Sequence, residues 1–115
     1  MIIVQNHYFA APGHHEQVLA TRREANACRA RLGLRAGNIL VRTRGADRAP
    51  DVIWQITYPD IAAWEADLAF LEASPEFTAI RQRQSAQLRH FERCAFILDG
   101  NELYPLADET APTIT

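Results

Sequence analysis

Apolar and polar residues follow two different rhythms along this chain, and the changes between them mark out its elements. Residues 2–9 (IIVQNHYF) are rich in β-branched and aromatic side chains and predict a first strand. Ala11-Pro12-Gly13 breaks that run. Val18, Thr21, Ala25, Cys28 and Leu32 then recur at steps of three and four, as one face of a helix requires, with Gly33 placed just past its end. Residues 38–44 (NILVRTR) predict a second strand, closed by the loop at 45–50, and residues 52–58 a third. Pro59-Asp60 offers a helix start with Asp60 as N-cap, and Ile61, Trp64, Leu68 and Leu71 form the apolar stripe. Ser74-Pro75 is a second start, with Ser at the cap and Pro at the first helical position; Phe77, Ile80, Gln84 and Leu88 carry that helix on. Residues 91–98 (FERCAFIL) predict a fourth strand.

The resulting order is β-α-β-β-α-β with the second helix broken in two. Right-handed crossovers put the helices on one face of a four-stranded antiparallel sheet, strands 1 and 3 central, 2 and 4 at the edges. An exposed opposite face would show clean apolar–polar alternation. Instead, strand 1 sets Ile3, Gln5, His7 and Phe9 against Ile2, Val4, Asn6 and Tyr8, and strand 3 sets Val52, Trp54, Ile56 and Tyr58 against Ile53, Gln55 and Thr57. Large apolar groups on both faces, with helices for only one, predict that a second copy of the chain covers the other. A homodimer is therefore expected.

Composition narrows the classes. At 115 residues with 48% hydrophobic and 23% charged side chains, the chain fits one globular domain, assigned to residues 1–98, followed by a polar arm at 99–115. In that arm Leu103, Tyr104 and Leu106 are the sizeable anchors, expected to dock on the partner subunit or on the outside of the helices. A net charge of −2 and no basic run argue against nucleic acid as a partner. All 12 basic residues are arginine, which excludes Schiff-base chemistry on lysine. No apolar stretch nears the roughly 20 residues of a membrane span, and residues 1–10 do not read as a signal peptide. Cys28 and Cys94 lack partners at metal-ligand or redox spacing, so a cytoplasmic protein without a membrane partner is expected.

Candidate chemistry gathers on few residues. Trp54 and Tyr58 share a strand face and Trp64 lies on the apolar side of the next helix, so these rings can meet between sheet and helices, with Tyr8 and Phe77 as further walls. They form either core or an aromatic-lined pocket. His7 and His90 are the histidines expected in regular structure and could act as a general base, with Asn6, Tyr8 or Tyr58 donating to developing oxyanion charge. His14-His15-Glu16 makes a poor chelate, because adjacent helical residues diverge by about 100°. Arg42 and Arg44, on one face of an edge strand, could take an anion or pair with carboxylates. No nucleotide-binding, zinc-protease or dithiol motif occurs, so neither a cofactor nor a metal is expected.

The strand ending in Trp54 and Tyr58, the Pro59-Asp60 helix start, Trp64 and the Ser74-Pro75-Glu76-Phe77 turn together resemble the dimeric α/β-barrel superfamily of ferredoxin-like proteins, most of all NIPSNAP-type proteins and more distantly antibiotic-biosynthesis monooxygenases. The resemblance spans about residues 1–98 and implies an α+β homodimer whose sheets pack face to face; it implies no settled activity. Three readings follow: a binder of a small apolar or aromatic molecule between sheet and helices, a cofactor-independent monooxygenase acting on a phenolic or polyketide-like substrate, or a structural module without a ligand. An open space beside Trp54 and Trp64 favours the first two.

Overall fold

A computed structural model describes residues 1–99. Its elements are β1 (Ile2–Ala10), α1 (His15–Arg31), β2 (Asn38–Val41), β3 (Val52–Tyr58), α2 (Ile61–Glu72), α3 (Pro75–Ala86) and β4 (Leu88–Ile97). The strands form one antiparallel sheet in the order β2-β3-β1-β4, so the central and edge assignments expected from sequence hold. This is the ferredoxin-like arrangement, with three helices on one sheet face. The anchors expected at Leu103, Tyr104 and Leu106 lie outside the described residues.

The local signals act as anticipated. Asp60 Oδ1 accepts from Ala63 N at 2.8 Å and Ser74 Oγ from Phe77 N at 3.2 Å, so each cap satisfies an amide that the helix itself cannot. Gly33 has φ 79°, the left-handed conformation expected after α1. Three expectations are corrected. β2 stops at Val41 rather than at Arg44: after Arg42 N bonds to Asp51 O at 3.0 Å the ladder ends, and the Arg42 side chain folds back to Pro50 O and Asp51. Arg42 and Arg44 are therefore not paired on a strand face, and Arg42 is a structural partner of Asp51. Ile61 is 56% exposed rather than core; the inward stripe of α2 is Trp64, Asp67, Leu68 and Leu71. β4 begins three residues early, which takes Leu88 from helix into strand.

Asp51 fastens the end of β1. Its Oδ2 accepts from Ala10 N and its Oδ1 from Arg42 Nη2, each at 2.8 Å, while His15 Nε2 stands 3.2 Å away. Desolvation pushes this carboxyl upward, but the Ala10 amide, Arg42 and His15 together outweigh it and hold the pKa below the usual range. A lowered folded-state pKa stabilises the fold above the unfolded-state value and loses that contribution as pH falls through the folded one. Asp51→Asn should thus cost about 1–2 kcal/mol at neutral pH. The gap to wild type should close below pH about 4, which denaturant melts across pH 2–7 would show.

The core between sheet and helices is built on Val4, Tyr8, Val18, Val52, Trp54, Ile56 and Tyr58, with a second cluster of Ala25, Cys28, Leu71, Phe77 and Ile80 between the helices. The opposite sheet face carries Ile3, Gln5, His7, Ile53, Gln55 and Thr57, with Leu40 and Phe96 toward its edges. Leu40 is 42% and Phe96 48% exposed, and no helix among the described residues covers them. No helix there is long and apolar enough to cross a membrane.

Candidate functional site

The alternation of β1 and β3 turns Val4, Asn6, Tyr8, Trp54 and Tyr58 toward the helices, and together they floor a cavity of about 570 Å³. Register sets the floor in rows: Asn6 lies between Trp54 and Arg93, and Tyr8 between Val52 and Phe91. The roof comes from Arg22 and Arg29, two turns apart on α1, from Trp64, Asp67, Leu68 and Leu71 on α2, and from Phe77 and Gln84 on α3. An open space thus exists where the sequence allowed either core or pocket. Asn6, Tyr8, Trp54, Tyr58, Trp64 and Phe77 all line it. His7 and His90 do not.

Strand alternation explains both absences. His7 points to the uncovered sheet face, where it lies 2.8 Å from Gln5 Oε1, and Gln5 Nε2 donates on to Gln55 Oε1 at 2.7 Å. His90, exposed on the edge strand, stands beside the Phe9 ring and 3.3 Å from Glu92. His15 begins α1, where the His14-His15-Glu16 run is expected to open a helix.

Three polar networks shape the cavity. At one end Asp67 Oδ2 accepts from Arg29 Nη2 at 2.9 Å and from the Tyr58 hydroxyl, while Arg29 Nε donates to Arg35 O at 2.7 Å. Burial first, then the hydrogen bond to Asp67 and its negative charge, hold the Tyr58 phenol well above its ordinary range. Tyr58 is therefore a neutral hydroxyl whose proton is committed to Asp67. In the middle, Trp54 Nε1 donates to Asn26 Oδ1 at 2.8 Å, with the Arg29 guanidinium 5.0 Å from the indole centroid. At the other end Arg93 Nε donates to Asn6 Oδ1 at 2.9 Å and Asn6 Nδ2 to Tyr8 Oη at 3.3 Å. Tyr8 stacks on Phe91, centroids 5.2 Å apart, and lies beneath the Arg22 guanidinium at 4.5 Å.

Sequence reasoning missed Arg22, Arg29, Asp67 and Asn26, and placed Gln84 on the inward run of α3 without giving it a role. A signal was present. Asp67 falls three residues after Trp64 and four before Leu71, on the apolar stripe itself, and Arg22 and Arg29 stand seven apart beside the stripe of α1. Charged residues at inward-facing positions need buried partners or a ligand.

The half-buried position of Trp64 at the cavity wall gives a direct expectation. Trp64→Ala should cost about 1–2 kcal/mol, below the about 3–5 of a fully packed tryptophan, because part of its surface already faces open space. Denaturant melts of the two proteins test this.

No family model matches the chain, and no curated protein does. Solved structures do. An uncharacterized NIPSNAP domain protein from Burkholderia xenovorans superposes at a TM-score of 0.66 with 18% identity, over 98% of this chain and 100% of that one. An antibiotic biosynthesis monooxygenase gives 0.61 and 20% identity, over 91% and 100%. A dimeric protein of unknown function and ferredoxin-like fold from Bacteroides fragilis gives 0.60 and 11%, over 83% and 93%. At these identities the likeness is one of architecture: the chain has the ferredoxin-like α+β fold shared by NIPSNAP domain proteins and antibiotic biosynthesis monooxygenases.

Proposed function

We propose that this protein is a homodimeric, NIPSNAP-like cytoplasmic binder of a small apolar or aromatic molecule, held between sheet and helices. The observation that carries the reading is the cavity of about 570 Å³, walled by Tyr8, Trp54, Trp64, Leu68 and Phe77 together with polar and charged groups that include Asn6, Arg22, Arg29, Asp67 and Glu72. Small-molecule sites likewise join apolar and aromatic walls to oriented polar contacts, in the range of about 300–1,000 Å³. The structural-module alternative calls for a filled space. The oxygenase alternative loses its expected bases, since His7 and His90 stand outside the cavity, and Tyr58 is committed to Asp67.

Titration calorimetry with 1-naphthamide and 1-naphthoate, an uncharged and an anionic aromatic of nearly the same shape, tests the reading. At least one should bind saturably, and Trp64→Ala should weaken it about threefold or more by removing an aromatic wall. Failure of both to bind, or indifference to Trp64→Ala, would remove the cavity as the site.

The homodimer is supported by the uncovered face around Ile3, Ile53, Leu40 and Phe96, and by the dimeric state named for the Bacteroides fragilis neighbour. The Gln5, His7 and Gln55 row on that face would give the interface a polar centre. The free thiols of Cys28 and Cys94 suit a reducing compartment. Sedimentation velocity should show a dimer at micromolar concentration, burying more than roughly 1,200 Å² in total. A monomer under those conditions would exclude it.

A further inference from the structure

Arg22 is 4% exposed, and yet no carboxylate lies within ion-pair distance of it among the described residues. Its Nε donates to the neutral Gln84 Oε1 at 2.6 Å, and the guanidinium lies over the Tyr8 ring and lines the cavity. Arg29, two turns along the same helix, is equally buried but fully provided for, with Asp67 and the Arg35 carbonyl as partners. The contrast matters because a buried cation without a counter-charge is costly, and structures retain one where something else supplies the charge. Burial lowers the Arg22 pKa below its ordinary value; the Tyr8 hydroxyl offsets part of that, while Arg29 and Arg81 add like charge, and none of these neighbours is a counter-ion.

Gln84 is held to present its oxygen rather than its amide. Its Nε2 donates to Gln87 Oε1 at 2.9 Å and reaches Val18 O at 3.5 Å, leaving Oε1 for Arg22. Asn6 likewise donates to Tyr8 Oη, so the Tyr8 oxygen is accepting and its own proton meets no acceptor among the described residues. Arg22 and the Tyr8 hydroxyl therefore give this end of the cavity a surplus of donors; Arg81 and Arg93 add positive charge to the lining, against Glu72 and the Arg29-paired Asp67. Toward the Trp54 and Trp64 side the lining combines aromatic and aliphatic surface with the Arg29, Asp67 and Tyr58 network, whose charges already partner each other.

We propose that the ligand of this cavity is a small organic acid, its carboxylate seated on Arg22 and the Tyr8 hydroxyl and its apolar or aromatic body lying toward Trp54 and Trp64. The planar fork of the guanidinium matches the two oxygens of a carboxylate. This rests on the binding role given to the cavity above and adds the chemical class of what it binds.

The experiment compares 1-naphthoate with 1-naphthamide by calorimetry on wild type and Arg22→Gln. Wild type should favour the carboxylate by about tenfold or more, the gain of a charge-assisted over a neutral hydrogen bond in a buried site. Arg22→Gln should remove that preference while leaving 1-naphthamide within about threefold. Should Arg22→Gln fail to fold, ¹⁵N NMR of wild type decides: the Arg22 Nε–H resonance, slowed in exchange by its bond to Gln84, should shift with 1-naphthoate and stay in place with 1-naphthamide. Equal wild-type affinities, a preference that survives Arg22→Gln, or an unmoved resonance would each overturn the carboxylate while leaving the cavity as a site. Binding of neither probe would overturn both readings together.

Discussion

Asp67→Asn should be the most damaging single substitution in the described fold, with a cost of about 3–5 kcal/mol. Asp67 is 8% exposed and Arg29 3%, and they meet at 2.9 Å in the roof of the cavity. Asparagine has nearly the same shape, so packing is kept while the negative charge is lost. The guanidinium of Arg29 then stays in a low-dielectric site with only neutral company: the asparagine oxygen, the Arg35 carbonyl and the Trp54 ring. Two controls separate this cause from ordinary loss of a hydrogen bond. Tyr58→Phe removes a donor to the same carboxylate without removing a charge, and should cost about 1 kcal/mol. Asp67→Asn combined with Arg29→Met removes both charges and should recover part of the stability, because an apolar replacement does not carry the desolvation cost. Denaturant melts would measure all four proteins. If Asp67→Asn costs no more than Tyr58→Phe, the buried charge is not what the pair secures.

The fold was legible because its signals are local and agree with one another. The Asp60 cap, Ser74-Pro75 and Gly33 each solve a backbone problem at one residue, and period-two runs next to a period-3.6 run fix the element order. Faces were legible too, since alternation alone assigns Tyr8, Trp54 and Tyr58 to one side of the sheet. The failures occurred where a tertiary partner decides. NILVRTR is good strand sequence and predicts β2 to Arg44, but the ladder ends once the Arg42 amide has bonded to Asp51 O, where the Arg42 side chain turns back to the Asp51 carboxylate. The spacing predicts Ile61 on the apolar stripe, but as the first residue of α2 it is exposed.

The site was only half legible, and the reason is that its polar half runs against the usual meaning of the residues. A histidine on a central strand attracts attention as a base, yet one step of register separates His7 from the cavity that Asn6 and Tyr8 line. Arginines at 22 and 29 and an aspartate at 67 look like solvated helix surface, since such residues are rarely buried. Their inward direction follows from the α1 and α2 phases, which the apolar residues around them did report. The pairing of Arg29 with Asp67, across 38 positions of sequence, could not be read from spacing, and neither could the isolation of Arg22.

Gly37→Ala should be the second large effect, and it tests how rigidly the cavity wall is set. A Cβ at Gly37 would stand 2.3 Å from Trp54 Cε2 and 2.4 Å from Nε1, closer than any real contact, so something must move. The indole cannot slide freely, because Nε1 is bonded to Asn26 Oδ1. Nor can the backbone withdraw: Asn26 Nδ2 donates to Gly37 O at 2.8 Å and Gly37 N to Asn26 Oδ1 at 3.1 Å, which ties glycine, asparagine and tryptophan into one unit. A single methyl group here should therefore cost about 3 kcal/mol, the upper range for overpacking, and loosen the wall that Trp54 presents to a ligand. The cause is checked by adding Trp54→Leu, which takes away the ring atoms that the methyl would meet. Trp54→Leu alone opens space and is destabilising. In the Gly37→Ala background it should cost much less, so that the double variant is more stable than the sum of the two single losses by about 1–2 kcal/mol. Strict additivity in denaturant melts would mean that the glycine is required for its backbone and not for the closeness of the indole.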